Sequence, residues 1–478
     1  MSSKPKSAEH QSRPLTEVVD IVSGFGFPKD LQGKLVGDLP FFKVGDISTA
    51  WNSGQKQLTR AQHYLDHAEA GAIKAKAFPK GTVVFAKIGE AIKLNRRAVL
   101  GQPSLVDNNV MGLVPKEGAV DSNYLYYWSL MLRLGDISQA TTVPSVRKSD
   151  VAQLQFPWLP LDQQKRIVAE IEKQFSRLDE AVANLKRVKA NLKRYKAAVL
   201  KAAVEGRLVE TEAELARREG RSYETGEQLL QRILETRRGQ WKGKGKYKEP
   251  AAPDTADLPE LPDGWVWATL PQLGELNRGK SKHRPRDDKK LYGGPYPFIQ
   301  TGDVRKSEGT ITGYNQTYSE IGLKQSRLWP AGTLCITIAA NIAETGILRF
   351  AACFPDSVVG CLIENGGTTT RYVEYFIRTA REKLERFAPA TAQKNINLEV
   401  LAAVAIPLPP LVEQERIVAE IDRRRSLIGE TDSQVKGNIL RSERLRESIL
   451  GTAFSAGFGV RRVNSVSLAR ESNSAHPR

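Results

Sequence analysis

The sequence contains few of the residues that covalent and metal chemistry require. Its 478 residues include three cysteines and five histidines, which excludes a disulfide framework and fits a reducing compartment. His63 and His67 have the spacing of a zinc site but no third ligand nearby, so we expect an exposed helix face and no metal. The cysteines form no C-x-x-C pair, and we expect them to be buried thiols on strands.

Motifs for nucleotide and base chemistry are also missing. No G-x-x-x-x-G-K-[S/T] string occurs, so the chain is not a P-loop motor. Adenine methylation needs an Asp/Asn-Pro-Pro-aromatic loop to hold a flipped base, and Leu408–Leu411 (LPPL) lacks both the polar and the aromatic member. Asp356 and Glu364 are spaced loosely like nuclease carboxylates, but the expected lysine is absent. We therefore predict no catalytic residues.

Long apolar runs are absent, whereas positive charge is abundant. The longest apolar stretches, 332–343 and 398–412, are short or broken by Glu and Pro, so we expect no transmembrane helix. The first residues lack the apolar segment of a signal peptide, and we expect a cytoplasmic protein. The 71 Lys and Arg exceed the 54 Asp and Glu, which gives a net charge of +17. This excess predicts a polyanionic partner, most often nucleic acid.

The chain repeats itself at an offset of 250 residues. Leu159–Ile171 (LPLDQQKRIVAEI) and Pro409–Ile421 (PPLVEQERIVAEI) are identical at nine of thirteen positions, and the register continues for about thirty residues more. A single repeat at so long a period indicates two copies of one unit rather than a solenoid. It suggests a pseudo-twofold protein that reads two related targets at a fixed separation.

The pattern of apolar and turn-forming residues along the chain predicts its domains. Short β-type runs between turn residues predict mixed α/β domains, and apolar residues at three- and four-residue spacing after each Pro-rich segment predict long helices. The loose echo of PFFKVGDIS (Pro40–Ser48) in PFIQTGDVR (Pro297–Arg305) indicates shared strands in the two mixed domains. The predicted order is a first domain at 1–158, a helix at 159–206, a connector at 207–257, a second domain at 258–408, a helix at 409–460 and a disordered tail at 461–478.

The layout resembles the DNA-specificity subunit of type I restriction–modification systems. The most specific strings are FPWLPLDQQKRIVAEIE and IPLPPLVEQERIVAEID, with GRLVETEAELARREG, LPDGWVWATL and TAQKNIN (Thr391–Asn397) also typical. The first half departs from the pattern, with TTVPSVRKSD in place of the last string and no LPxGWxW opener. The resemblance implies an α+β protein in which two pseudo-twofold-related α/β target-recognition domains are separated by two long helices packed as an antiparallel coiled coil.

The resemblance also implies function and partners. Each recognition domain would read one half of a bipartite, asymmetric site in double-stranded DNA. The subunit would have no catalytic activity or cofactor of its own. It would dock two methyltransferase subunits that use S-adenosylmethionine and, where present, two restriction subunits that use ATP and Mg²⁺. The alternatives are a degenerate stand-alone methyltransferase or nuclease, and a coiled-coil adaptor that binds DNA without sequence preference.

Candidate DNA contacts are side chains that match base edges or phosphates. In the first domain they are Lys43, Asp46, Lys87, Arg96, Arg97, Arg147 and Lys148. In the second they are Arg278, Lys280, Lys282, Arg284, Arg305, Asn341, Gln393, Lys394 and Asn395. The cations of 237–248 and those of 186–196 lie either on DNA or on a solvated surface.

Overall fold

The computed structural model describes residues 11–138, 143–243, 245–339, 342–364, 367–386 and 396–454. The chain divides into two compact units, one formed by Met1–Lys186 with Lys436–Arg478 and the other by Arg187–Val435. Each unit combines strands and helices, which confirms the predicted α+β class. Among the described residues, no helix is both long and apolar enough to cross a membrane.

The first unit holds the first mixed domain and the start of the first long helix. In chain order its elements are β1 Gln11–Pro14, α1 Leu15–Val18, β2 Val19–Ser23, β3 Leu39–Phe42, α2 Val44–Asn52, β4 Gln57–Leu58, β5 Tyr64–Leu65, α3 His67–Ala72, β6 Val83–Ala86, β7 Ala98–Leu100, β8 Leu105–Val106, β9 Val110–Pro115, α4 Ser122–Met131, α5 Leu134–Ile137, α6 Lys148–Ala152, β10 Gln155–Trp158 and α7 Leu161–Val204. Helix α7 continues into the second unit.

The second unit holds the connector, the second mixed domain and the start of the second long helix. Its elements are α8 Glu212–Glu219, α9 Gly226–Gly239, β11 Val266–Thr269, α10 Leu270–Leu273, β12 Gly274–Arg278, β13 Tyr292–Phe298, α11 Thr301–Lys306, β14 Gly309–Ile311, β15 Gln316–Tyr318, α12 Glu320–Lys324, β16 Leu334–Thr337, β17 Thr345–Leu348, β18 Val358–Ile363, α13 Gly367–Arg386, α14 Leu398–Ala402, β19 Ala405–Leu408 and α15 Leu411–Phe454. Helix α15 ends in the first unit.

The two mixed domains share one sheet topology. The main sheet has the strand order β2-β9-β6-β7-β4 in the first unit and β12-β18-β16-β17-β14 in the second. The last pair is parallel in both sheets, β4 with β7 and β14 with β17, and the other neighbours are antiparallel. The side chains of β6 and β16 are buried throughout, so these strands form the centre of each core. The repeat seen in the sequence is therefore a repeat of fold.

A small two-stranded sheet closes each mixed domain just before its long helix. Strand β1 pairs antiparallel with β10, and β11 pairs with β19 in the same way. In the first domain QSRP forms β1, although this domain lacks the LPxGWxW string of the second. The Arg13 guanidinium lies over the Trp158 ring at 3.6 Å, so a cation and an indole from opposite strands cover this sheet.

Each long helix begins directly after a proline, α7 after Leu159-Pro160 and α15 after Pro409-Pro410. Helix α7 is two residues shorter at each end than the predicted 159–206. Gly206 adopts φ +67° after its last turn, and a Cβ there would lie 2.5 Å from Pro262 Cγ, so only glycine fits. Helix α15 starts at Leu411 rather than at 409 and is described to Phe454. Residues 455–460 of the predicted helix and the predicted tail lie outside the described residues.

Within each unit, parts of the two long helices pack together in antiparallel orientation. In the first unit the Arg446 guanidinium pairs with Asp179 and lies 4.7 Å from the Phe175 ring centre, while Leu450 and Phe454 join the core that contains α7's first turns. In the second unit the last turns of α7 share a core with the first turns of α15. Along α7, Val168 and Ile171 are buried, whereas Leu178, Val182 and Leu185 are partly exposed, so the apolar stripe is buried near the start of the helix and not along its middle.

Part of the connector packs in the core of the second unit. Leu229, Leu230 and Ile233 of α9 are buried there. Helix α8 is tied to α15, because Glu413 accepts a hydrogen bond from the Glu212 backbone N–H at 2.9 Å and Arg416 pairs with the Glu212 carboxylate at 2.6 Å.

The prediction that His63 and His67 share a helix face is wrong. His63 precedes the short strand β5 and its Nδ1 accepts a hydrogen bond from the Gly33 backbone at 2.9 Å, whereas His67 opens α3. Among the described residues, no group of three or more His, Cys, Asp or Glu is arranged to hold a metal ion.

The repeated fold predicts that equivalent buried hydroxyls stabilise the two units equally. Tyr124 Oη donates to the Pro157 carbonyl at 2.8 Å, and Tyr372 Oη donates to the Pro407 carbonyl at 2.7 Å. We expect Tyr124→Phe and Tyr372→Phe each to lower the free energy of unfolding of its own unit by about 1–2 kcal/mol, since a buried carbonyl loses its donor. Urea denaturation measures this loss, and Tyr314→Phe, at a half-exposed ring, is the matched control. Equal stability of all three variants would contradict the assignment.

Candidate nucleic-acid interface

The structure brings three of the predicted first-domain cations together. Lys87 directly follows β6, and its carbonyl accepts a hydrogen bond from the Val146 N–H at 2.8 Å. This places Arg147 and Lys148, which open α6, beside the end of β6. Burial, and to a lesser extent the neighbouring Lys148 charge, lower the pKa of Lys87. Such a cluster is suited to phosphate oxygens.

Lys43 and Asp46 lie together at another strand end, but they differ in role. The Asp46 carboxylate accepts a hydrogen bond from the Lys43 backbone N–H at 2.7 Å and so caps α2. Asp303 does the same for Gln300 at 2.9 Å in the second unit. The echo between PFFKVGDIS and PFIQTGDVR is therefore explained by helix capping. Asp46 positions Lys43, whose ammonium group donates to Gln32 Oε1 at 2.8 Å.

Arg97 was predicted to contact DNA, but the structure buries it in the first unit. Its side chain has no exposed surface, and the guanidinium donates to the carbonyls of Ser129, Leu132 and Arg96 at 3.0–3.2 Å. It thereby satisfies carbonyls at the carboxyl end of α4. Burial lowers its pKa to about 9. A buried arginine cannot contact DNA in this fold, whereas the half-buried Arg96 remains a candidate.

The predicted basic loop of the second unit is a surface feature with a fixed backbone. Arg278, Lys280, Lys282 and Arg284 are all exposed. The backbone N–H groups of Gly279 and Lys280 donate to the carbonyls of Val358 and Phe354, respectively. The backbone N–H of Lys282 donates to Gln325 Oε1. The Arg284 guanidinium folds back onto the carbonyls of Ser281 and His283, at 2.8 Å each. The other three cations have no salt-bridge partner within the described part of the chain.

Sequence reasoning missed the continuation of this loop. Arg286, Lys289 and Lys290 extend the basic run, and Arg286 pairs with Asp356 at 3.1 Å. The signal was present in the string RPRDDKK. This ion pair also engages one of the two carboxylates considered for a nuclease, which removes support for that alternative.

The remaining predicted contacts fall in two classes. Arg305 is exposed on α11. Asn341, Gln393, Lys394 and Asn395 lie outside the described residues. Just after them, Ile396 is buried and Asn397 caps α14 by accepting from the Val400 N–H at 2.8 Å.

The three cysteines are buried strand and loop thiols. Cys335, Cys353 and Cys361 are free and unexposed. Burial raises the pKa of all three, that of Cys361 to about 12. A protonated, inaccessible thiol is a poor nucleophile, so these cysteines serve packing.

Comparison with known proteins identifies the family. The model for "Type I restriction modification DNA specificity domain" matches residues 8–194 and 262–431, one match for each mixed domain with its helix. The chain belongs to this family. The match confirms the resemblance found in the sequence, and it assigns the chain to the specificity subunits, which are not catalytic.

Individual relatives are distant in sequence. The chain is 21% identical over 465 residues to the Escherichia coli type I restriction enzyme EcoBI specificity subunit, covering 92% of this chain and 84% of the relative. It is 26% identical over 282 residues to the EcoAI specificity subunit of the same organism, covering 53% of this chain but only 43% of that relative. The crystal structure of the HsdS subunit from Thermoanaerobacter tengcongensis superposes with a TM-score of 0.56 at 17% identity, over 94% of this chain and 97% of that one. At this identity, the structural match concerns the fold alone.

The exposed basic loop after β12 allows a test of whether its positive charge contributes to DNA binding by this specificity subunit. We expect the triple variant Arg278→Ala, Lys280→Ala, Lys282→Ala to weaken duplex DNA binding at all sequences and to flatten its salt dependence, by about 0.9 in slope for each lost phosphate contact.

The matched control removes three exposed cations that already have carboxylate partners, Lys201, Arg217 and Arg218. Titrations with labelled duplex from 50 to 200 mM salt compare the two variants. If both flatten the slope equally, the loop has no special role.

Proposed function

We propose that each unit of this specificity subunit reads one half of a bipartite, asymmetric DNA site. The observation that carries the proposal is the shared strand order β2-β9-β6-β7-β4 and β12-β18-β16-β17-β14. Two copies of one scaffold offer equivalent strand ends at which two sets of side chains can meet base pairs. The net charge of +17 favours the approach of both to a polyanion.

Equivalent positions carry different side chains, which supports an asymmetric site. The hydrogen bond from Val146 N–H to the Lys87 carbonyl has its counterpart in that from Ile396 N–H to the Ile338 carbonyl. Lys87 thus corresponds to Ile338, and by the same register Arg147 corresponds to Asn397. Ile338 is buried in the core of the second unit, whereas Lys87 is partly exposed, so this strand end presents a cation to DNA in the first unit only.

We further propose that the long helices set the distance between the half-sites and dock methyltransferase subunits. Each helix contains 44 residues, about 66 Å of continuous helix, and passes from one unit into the other. Large apolar side chains remain exposed along them: Val188, Tyr195, Val412, Leu427, Leu440 and Leu445. Exposed apolar groups that recur along two helices mark a surface for protein partners.

The partners would supply the chemistry. Two methyltransferase subunits would bring S-adenosylmethionine, and restriction subunits, where present, would bring ATP and Mg²⁺. The specificity chain contributes binding and position only. A stand-alone methyltransferase or nuclease is not favoured, because the family is one of specificity subunits.

Exchange of one domain tests the two-reader proposal. Residues 262–408 are replaced by the equivalent domain of a related specificity subunit, with both long helices kept. Together with a methyltransferase partner, the hybrid is expected to methylate a motif with one new half and one unchanged half, because each half depends on one scaffold. Single-molecule sequencing of methylated genomic DNA reads the motif. A change in both halves would refute separate readers.

Matched insertions test the spacing role. Seven residues are added to α7 after Lys186 and seven to α15 after Val435, which preserves the apolar stripe of both helices. Each insertion adds about 10 Å of helix, equivalent to about three base pairs at 3.4 Å each. We expect both half-sequences to persist with a spacer longer by two to four bases.

An insertion in α7 alone is the control, since it breaks the pairing of the helices and should reduce methylation of every motif. An active double-insertion variant with the original spacer would show that the helices do not set the distance.

A further inference from the structure

Both units place one polar side chain in the same backbone frame just after a strand. Lys43 follows β3, and Gln300 follows β13 by two residues. The backbone N–H of each donates to the aspartate three residues later, at 2.7 Å for Asp46 and 2.9 Å for Asp303. The frame is therefore constant while the side chain changes from an ammonium group to a carboxamide.

Each of these side chains is oriented by a glutamine from a neighbouring segment. Lys43 Nζ donates to Gln32 Oε1 at 2.8 Å, and Gln300 Nε2 donates to Gln316 Oε1 at 2.5 Å. Gln32 precedes β3 whereas Gln316 begins β15, so the two glutamines are not equivalent in the repeat. The same arrangement is thus built in two different ways, which indicates that orienting this side chain matters in both units.

The surroundings of Gln300 fit contact with DNA. Gln300 and Gln316 are exposed and line a cavity of about 580 Å³ together with Arg286, Lys289 and Tyr292. Arg286 and Lys289 belong to the continuation of the basic loop, so cations suited to phosphates lie beside the Gln300 carboxamide. In the first unit Lys43 Nζ lies 5.2 Å from the ring centre of the half-exposed Phe27.

The hydrogen bonds that remain available define what each side chain recognises. An ammonium group has three donors and no acceptor. With one donor held by Gln32, Lys43 keeps two, which match the O6 and N7 acceptors of guanine. Gln300 keeps one N–H donor and its carbonyl acceptor, which match N7 and the N6 amino group of adenine.

We propose that Lys43 and Gln300 are specificity-determining residues, with Lys43 reading a guanine in one half-site and Gln300 reading an adenine in the other. This inference rests on the proposed function, since it assigns a base to each reader. The ligand is the major-groove edge of a base pair in duplex DNA.

Reciprocal substitutions test the assignment in the full chain with its methyltransferase partner. Lys43→Gln is expected to replace one guanine of the methylated motif by adenine, and Gln300→Lys to replace one adenine by guanine in the other half. The preference for the new base over the old should be about tenfold to hundredfold in methylation rate, which is the range of one bidentate base contact. Rates on duplexes that carry each base at that position measure it.

Alanine variants separate reading from folding. Lys43→Ala and Gln300→Ala should accept all four bases at one position and keep every other position of the motif. Gln32→Ala and Gln316→Ala remove the hydrogen bonds that orient Lys43 and Gln300 but keep both side chains. These two variants should reduce discrimination between bases at the same positions of the motif. If a reciprocal variant does not fold, these four alanine variants still test whether Lys43 and Gln300 recognise bases. Lys289→Gln, in the same cavity, is the matched control and should slow methylation of all duplexes alike.

The outcomes also distinguish this inference from the proposed function. Unchanged discrimination at every position in Lys43→Ala and Gln300→Ala would overturn the inference and leave the two-reader function intact. Loss of methylation at all motifs, in variants that melt like the parent chain, would also overturn it, because the rest of each half-site should still be read. If the parent chain with its partner methylates no bipartite motif, the proposed function itself fails.

Discussion

A buried glutamine at the start of the first long helix holds that helix to its own recognition domain. Gln164 donates to the carbonyls of Leu159 and Ala119, at 2.7 and 3.1 Å, and accepts from the Asp121 N–H at 2.8 Å. Gln414, at the equivalent position of the second helix, is also fully buried and donates to the Pro409 carbonyl at 2.9 Å. Reorientation of Gln164 would leave buried polar groups unpaired, at a cost of about 1–3 kcal/mol each. Gln164 thereby fixes the angle at which α7 leaves the first recognition domain, as the proposed spacing role of the helices requires.

The same constraint explains which parts of the chain repeat. Identical residues collect at the junction, where Pro160 and Pro410 precede the helices and Gln164 and Gln414 lie inside them. Gln164 and Gln414 are fully buried there, so few alternative side chains fit. The strand ends that face solvent are free of this restriction. They hold Lys43 in one unit and Gln300 in the other in the same helix-capping frame, and recognition can differ where the scaffold does not.

Charge must be judged by position as well as by number. Part of the basic excess is used inside the fold: Arg97 binds helix carbonyls, and Arg416 pairs with the buried Glu212. Many exposed arginines form local pairs that contribute little to stability. The cations without a salt-bridge partner among the described residues include cations on the loop after β12 and at the end of β6. Positive charge at these strand ends favours the approach of a polyanion to the surfaces proposed to recognise bases.

The sequence by itself determined the duplication, the two long helices and the family, because these depend on local patterns: periodic apolar residues, Pro-rich strand ends and an ungapped repeat. It also placed Lys87, Arg147 and Lys148 in one candidate set, and the basic loop in another. Only the tertiary structure separated Arg97 from its neighbour Arg96, since burial depends on what α4 packs against. The tertiary structure also showed that Asp46 caps a helix. It showed that β1 pairs with β10 as β11 pairs with β19, although the first domain lacks the LPxGWxW string. Gln300 and Gln316 meet only because β13 pairs with β15, and a contact between distant segments leaves no periodic trace in the sequence.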